Sequence, residues 1–531
     1  MDSSKPKRHK PPNNPPIVDQ TPQNDSNNEG NKNPIVDKTL VSSDDHNPDD
    51  RISNLPDPIL CHILSQLPTR TAVATTVLST KWKHLFASIP NLSLRIDDAA
   101  VPNNDQPSPN FPNFMSHLLT VTLRDAGLRE FVLHCNHDYG NARIDSWVSA
   151  VLGFDVTRLA IFFAAENTGV STPSIFNSTT LVSLSWSQHF AVNVPGKVCL
   201  PNLKRLLLDF VIFPDGESFG RVLDGCPVLE DLCCYSCEFE DIEILRICSG
   251  SLKLLMLNNC CPESEYEIEI DTPELELLLY DDDVATYYPV TNLKTLVKAH
   301  VDIGPSKKLV DEADVDELLH YDQNVAEFVG ACCNVSFLYL SGTSVAAIRC
   351  SSSPMPTFHN LTELELGGLN SFGWQLLPHL LERAPNLEVL TFTRGLSEDT
   401  GCFTRFQSGL ANNVPACLSL HLRSIYFGGF NGEQDGMELV CYFLTYAQVL
   451  TKMEFSFCSS MPLEKQLSTW TKLLLLQSYS KNCKMDFPHE VKDDIVNFCD
   501  MDGSQKLTLE YIREHEMEIR RILDVVRRSS I

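Results

Sequence analysis

The sequence has no run of about 18 apolar residues, which leaves nothing to span a membrane. Its start, Met1-Asp2-Ser3-Ser4-Lys5-Pro6, lacks the apolar stretch of a secretory signal. Positive charge is scarce: 42 Lys and Arg stand against 69 Asp and Glu, a formal net charge of −27. Such an envelope repels phosphate backbones, so nucleic acid is not the expected ligand and a basic or neutral partner is. The catalytic signatures are also missing. There is no Gly-rich phosphate loop, no Gly-x-Ser-x-Gly elbow and no His-Glu-x-x-His. The acidic runs Asp281 to Asp283 and Asp311 to Glu317 lack the alternating spacing of a calcium loop and read as solvated faces. No catalytic residue, cofactor or metal is therefore expected.

What is present suits a soluble globular chain. Its 531 residues are 43% hydrophobic and 21% charged, enough for about three units and a core that needs no staple. With no sign of secretion, the 19 cysteines read as reduced thiols in the cytosol or nucleus.

Residues 1–49 read as a disordered tail, holding 8 of the 32 prolines among Asn, Asp and Ser. Within it, Lys5, Lys7, Arg8 and Lys10 form a basic cluster, either a nuclear import signal or a solvated stretch. At Arg51 the character changes. Asp57 suits an N-cap and Pro58 the first helical position. Ile59, Leu60, Ile63, Leu64 and Leu67 follow at helical spacing, and Pro68 stops the helix. Thr69 can cap a second helix carrying Val73, Val77 and Leu78; Ser79 can cap a third holding Trp82, Leu85 and Phe86. Three short helices are a small fold to stand alone, so apolar surface is left to dock on something else.

Arg51-Ile-Ser-Asn-Leu-Pro-Asp-Pro-Ile-Leu, Ile63-Leu-Ser-Gln-Leu-Pro and Val77-Leu-Ser-Thr-Lys-Trp82 together resemble the F-box, over residues 50–97. The resemblance implies docking on a Skp-type adaptor and, through it, a cullin-RING ubiquitin ligase. Carried over, the adaptor-facing set is Leu55, Pro56, Ile59, Leu60, Leu64, Leu67, Pro68, Val77, Leu78 and Trp82. Some of these, Leu64 and Val77 among them, could equally hold the three helices together.

From about residue 128 a phrase recurs: Leu, two residues, apolar, one residue, apolar. Leu128-Phe131-Leu133, Leu203-Leu206-Leu208, Leu252-Leu255-Leu257 and Leu422-Ile425-Phe427 are examples, with weaker copies at Leu229 and Leu293. Most spacings fall in or near the window of leucine-rich repeats, about 20–29 residues. Each copy gives one short strand and a return segment, and only stacking buries its apolar face. A long gap holds Asp314 to Ala331, whose Leu318, Leu319, Val325, Phe328 and Val329 suit an amphipathic return helix. Cys237, Cys260 and Cys458 fall eight positions after an anchor, where Asn or Cys in such repeats bonds backbone between coils. A zinc site at Cys234 and Cys237, completed by Cys260 and Cys261, is the weaker reading. His134 and His137 read as a surface turn.

Residues 408–484 resemble the FBD region that closes many plant F-box proteins with leucine-rich repeats. Leu422-Arg-Ser-Ile-Tyr-Phe427, Gly429-Phe430-Asn-Gly432, and Ala447-Gln-Val-Leu-Thr-Lys-Met453 carry the likeness. They read as strand, Gly-rich turn, helix from about Met437 to Tyr446, then strand. Residues 485–531 form an extension with a charged helical pattern from Lys506 to Arg528.

The expected architecture is α/β: a small all-helical F-box at 50–97, a curved leucine-rich-repeat solenoid at 120–405, and an FBD cap. The expected function is substrate recognition for an SCF-type ubiquitin ligase, without bond chemistry of its own, in nucleus or cytoplasm. A non-ligase interaction scaffold is the alternative. A small-molecule receptor is another; its only cations near strand positions are Lys204, Arg205, Lys253 and Lys294. The target protein is not named by the sequence.

Overall fold

The computed structural model describes residues 52–486 apart from 53–54, 68, 90–91, 99–109, 124–126, 164–171, 190, 261–265, 292, 313–314, 370, 394–401, 410–413, 459 and 478–481. The chain divides into two units, Met1–Leu55 and Pro56–Ile531. Of the first, only Ile52 and Leu55 are described; the Leu55 amide donates to the Ile52 carbonyl at 3.0 Å. The N-terminal tail, Pro68 and the C-terminal helical pattern lie outside the described residues.

Three helices open the second unit: α1 (Asp57–Ser65), α2 (Thr69–Thr75) and α3 (Thr80–Ala87). Helix α1 starts one residue earlier than the capping pattern predicts, with Pro56 at the N-cap and Asp57 already in the first turn. There its charge still favours the positive end of the helix dipole. Ser79 caps α3 as expected, its hydroxyl accepting from the Trp82 amide at 3.4 Å.

Beyond the head the chain winds into a ladder. Fifteen strands pair in parallel in strict chain order, from Leu92–Asp97 and Leu128–Cys135 through to Lys452–Phe457 and Lys484–Asp486. The sheet is open, its first and last strands being edges. The repeated phrase is the core face of this ladder: Leu252, Leu255 and Leu257 are wholly buried, as are Leu275, Leu278 and Tyr280 on the next strand.

The ladder exceeds the phrase at both ends, since neither Leu92–Asp97 nor Lys484–Asp486 carries a full copy. One anchor moves. The strand Lys298–Gly304 aligns Ala299 with Leu278 and Val301 with Tyr280, which makes Leu296, not Leu293, the anchor.

The return segments change character along the chain. Between residues 212 and 291 they combine the helix Gly216–Asp224 with short strands in two small sheets, Ile212–Phe213 with Glu238–Phe239, and Ile244–Cys248, Glu267–Asp271 and Val290–Thr291. Their alternation explains this: Leu245, Ile247, Ile268 and Ile270 point in and their neighbours point out. From residue 307 onward the returns are mainly helices, including Val315–Ala331, Gly342–Cys350, Ser371–Arg383, Gln434–Tyr446 and Leu463–Gln477. In the FBD region strand Ser424–Phe430, helix Gln434–Tyr446 and strand Lys452–Phe457 follow the predicted order, the helix starting three residues early.

Where the returns are strands, the turn out of each rung is fixed by left-handed backbone. Phe210, Ser236 and Asn259 hold φ of 53°, 46° and 51° at equivalent positions. Each donates its amide to a carbonyl of the next rung, those of Tyr235, Asn258 and Asp281, at 2.9, 2.8 and 2.9 Å. A side chain in this region costs roughly 1–2 kcal/mol, offset here by a satisfied amide in each coil.

Candidate docking site

Helix α1 carries three arcs. Leu60 and Leu64, four apart, are 0% and 1% exposed and pack toward α3, whose Leu85 and Phe86 are also buried. Asp57, Cys61 and Ser65 line a groove of about 700 Å³ shared with Lys81 and Leu85. Cys61 Sγ donates to the Leu85 carbonyl at 3.5 Å, and the exposed Lys81–Asp57 pair at 3.7 Å adds little. On the third arc Ile59 and Ile63 are 47% and 39% exposed.

The turn joining α2 to α3 is bare as well. Val77 and Leu78 are 86% and 70% exposed, yet their amides are satisfied by Ala74 and Thr75 carbonyls at 3.3 and 3.0 Å. The backbone is fixed while the side chains have no cover. Burying such a side chain is worth roughly 1.5–3 kcal/mol, so cover over these four residues would be favourable.

Of the adaptor-facing set, then, Pro56, Ile59, Val77 and Leu78 are exposed, Leu55, Leu67 and Trp82 half-buried, and Leu60 and Leu64 in the core; Pro68 lies outside the described residues. Ile63, absent from the set, joins the exposed arc. Its four-residue spacing from Ile59 is the signal that would have included it.

The ladder's open face is a second surface. Opposite the core, Cys233, Tyr235, Leu254, Met256 and Leu277 form a packed apolar cluster against Leu207 and Leu279. Toward the C-terminus the row turns polar. His300 stacks on Tyr339 at 3.8 Å and 7°, and Glu365 is the next residue along. Burial pulls the His300 imidazole down to about 4, so it is neutral at pH 7. Burial, helped by the neighbouring Glu363 carboxylate, pushes the Glu365 carboxyl up to about 7. A carboxyl whose pKa is raised by folding loses stability as pH climbs from its ordinary value toward 7 and is level above that. Glu365→Gln is therefore expected to stabilise the chain at pH 8 by roughly 1–3 kcal/mol and to change little at pH 4, read from urea melts at both.

The histidine and cysteine motifs resolve into coil-to-coil bonding. His134 is no surface residue: it is buried and stacks on Phe162 at 4.5 Å. Asp98, buried in the preceding coil, accepts from the amides of Asn136 and His137 and pairs His137 Nδ1 at 3.0 Å. Cys260 Sγ donates to the Cys234 carbonyl one coil back at 3.4 Å, as a ladder cysteine should. Cys237 Sγ bonds the Tyr235 carbonyl of its own coil and also the Cys260 thiol of the next, and Cys458 pairs with Ser460. Among the described residues no three His, Cys, Asp or Glu side chains converge as metal ligands, and Cys261 lies outside them.

The acidic run also does more than face water, for the buried Asp282 accepts the Cys260 amide. Lys204 and Lys253 share a cleft of about 400 Å³ with Glu230 and Glu274, and Lys204 meets Glu230 at 2.7 Å. Cations matched one for one by carboxylates do not make an anion pocket. No described helix is long and apolar enough to cross a membrane.

Comparison with known proteins agrees with this division. The F-box domain model matches residues 52–94. The model of the leucine-rich repeats of "FBD-associated F-box protein At5g56370" matches residues 144–303, and the FBD model residues 411–455. The F-box/LRR-repeat protein At3g59200 of Arabidopsis thaliana is 33% identical over 422 residues, covering 74% of this chain and 80% of its own. F-box/LRR-repeat protein At4g14103 from the same plant is 34% identical over 359 residues, 65% of this chain and 91% of its own. Putative F-box protein At3g58860, again from Arabidopsis thaliana, is 30% identical and covers 80% and 92%.

Proposed function

Because this chain belongs to the F-box/LRR-repeat protein family, we propose that it is a substrate-recognition subunit of an SCF-type cullin-RING ubiquitin ligase. The observation that carries this reading is the bare apolar surface over a closed core: Ile59, Ile63, Val77 and Leu78 exposed while Leu60 and Leu64 are not. A Skp-type adaptor covers that surface, with Pro56 and the half-buried Leu67 and Trp82 around it and Leu60 and Leu64 holding its shape. The adaptor brings the cullin.

The open face of the ladder holds a target protein. The half-buried Leu207 and Leu279, packed on the buried cluster of Leu254, Met256 and Leu277, supply apolar contact, and the rows beside them supply polar selection. The chain does no bond chemistry. It raises the effective concentration of a target lysine near the ligase's ubiquitin donor, the gain that tethering gives. The place of action is intracellular, nucleus or cytoplasm.

The test is purification of the full chain from cell extract. Adaptor and cullin should co-purify in comparable amounts. Adaptor without cullin would replace the ligase by an interaction scaffold, and neither would remove both readings.

A further inference from the structure

On the half of the open face that begins at Lys298–Gly304, the described cations are already committed. Lys452 meets Glu454 at 2.7 Å, Lys484 meets Asp486 at 2.8 Å and Arg423 meets Glu388 at 3.9 Å. Lys298 lies over the Phe337 ring. Two carboxylates are left over. Glu363 and Glu365 alternate with the buried Leu364 and Leu366 and so face outward. Neither is paired with a cation among the described residues. Glu363 is exposed; Glu365 is half-buried, which makes its ionisation costly in the free chain.

Glu365 stands on the floor of a slot. Along its row the pairing register runs His300, Tyr339, Glu365, Thr391, Tyr426, Glu454. His300 covers one face of the Tyr339 ring at 3.8 Å and 7°, so the other face is turned along the row toward Glu365. The Tyr339 hydroxyl reaches across to Gly367, where a Cβ would stand 2.8 Å from it. The missing side chain makes room for this wall. On the other side come the short Thr391 and then Tyr426. Burial raises the Tyr426 phenol, and the Glu454 and Glu365 carboxylates add to the rise, so this phenol and the Glu365 carboxyl are neighbours across Thr391. At the usual strand separation the two tyrosines stand about 14 Å apart at the backbone.

The chemistry of the slot selects its occupant. A partly desolvated carboxylate without a partner favours a cation. Flat aromatic walls favour a planar one, because a guanidinium stacks on a ring face and still offers two N–H groups to a carboxylate. With the open face as the target-binding surface, a reading on which this step rests, we propose that the slot takes an arginine of the target protein, its guanidinium on Glu365 and between Tyr339 and Tyr426.

Random dodecapeptides displayed on phage and selected on the full chain at pH 8 supply the probe, and fluorescence anisotropy of the synthetic peptides reads affinity. One arginine of the enriched peptide should weaken binding at least about ten-fold when replaced by the neutral citrulline and at least about three-fold when replaced by lysine. Glu365→Gln, which keeps the fold, should weaken the parent peptide at least about ten-fold. On that variant the citrulline peptide should lose less than about two-fold more. Glu217→Gln removes the same charge from a carboxylate whose side chain is 91% exposed on the helix Gly216–Asp224, and should bind like the parent. Equal affinity for Glu365→Gln and the parent chain would overturn the proposal. So would an equal loss in Glu217→Gln, full tolerance of lysine, enrichment of peptides without arginine, or no enrichment. Cullin co-purification is read separately. A chain that carries adaptor and cullin yet fails here loses only the slot, and a slot that passes in a chain without cullin belongs to a scaffold.

Discussion

Ile59→Asp combined with Val77→Asp is expected to weaken binding of a Skp-type adaptor by at least two orders of magnitude and to leave the chain folded. Both side chains are largely exposed in the free molecule, 47% and 86%. Surface changes of this kind usually shift stability by no more than about 0.5 kcal/mol. In the complex each carboxylate would be drawn into a dry interface without a partner, at roughly 2–5 kcal/mol apiece. At about 1.4 kcal/mol per decade of affinity, the two together exceed a hundred-fold. Calorimetric titration of the full chain with purified adaptor reads the affinity; circular dichroism reads the fold. Leu60→Asp is the informative contrast. Leu60 is wholly buried, so a charge there should unfold the helical head and abolish binding indirectly. A folded Ile59, Val77 double variant with undiminished affinity would refute the docking surface while leaving the ladder untouched.

This contrast also shows where sequence reasoning stops. Periodicity identified α1 and its apolar residues, but Ile59 and Leu60 are adjacent and both apolar. Which arc the neighbouring helix covers depends on how α3 crosses it, a tertiary fact that composition does not carry. The same limit applies to Leu318, which stands seven residues before the buried Val325 and so on the same helical line, yet is exposed. The ladder was far more legible. A strand facing a stacked core must repeat its inward residues, and the phrase does so from Leu128 to Leu450. It fades where stacking is one-sided, at Leu92–Asp97 and Lys484–Asp486, because an edge strand has one neighbour to satisfy. It misleads at Lys298–Gly304, where Ala299 occupies a place taken elsewhere by Leu and the eye slides back to Leu293.

Phe427→Ala should be among the costliest single truncations in the C-terminal rungs, at about 3–5 kcal/mol. Phe427 is 1% exposed and sits in a continuous aromatic stack. Its ring lies 5.2 Å from Phe392 and 5.2 Å from Phe455, nearly parallel to both, with Phe430 at 5.8 Å. Removing the ring opens a cavity and breaks contacts on two rungs at once. Each aromatic pair adds roughly 0.5–1.5 kcal/mol beyond burial. In a ladder, every rung is coupled chiefly to its neighbours. Loosening Ser424–Phe430 should therefore release Lys452–Phe457 and Lys484–Asp486 ahead of the rest, and a urea melt that is single in the parent should show two steps in the variant. Adaptor affinity should not change, because the helical head is separated from these rungs by most of the ladder in pairing order. Phe337→Ala serves as the control. That ring is only half-buried, on the open face under the Lys298 ammonium at 5.9 Å, and its loss should cost far less and leave one step. A Phe427→Ala chain that melts in a single transition, with all rungs lost together, would show that the stack is one cooperative block and that coupling runs well past the adjacent coil.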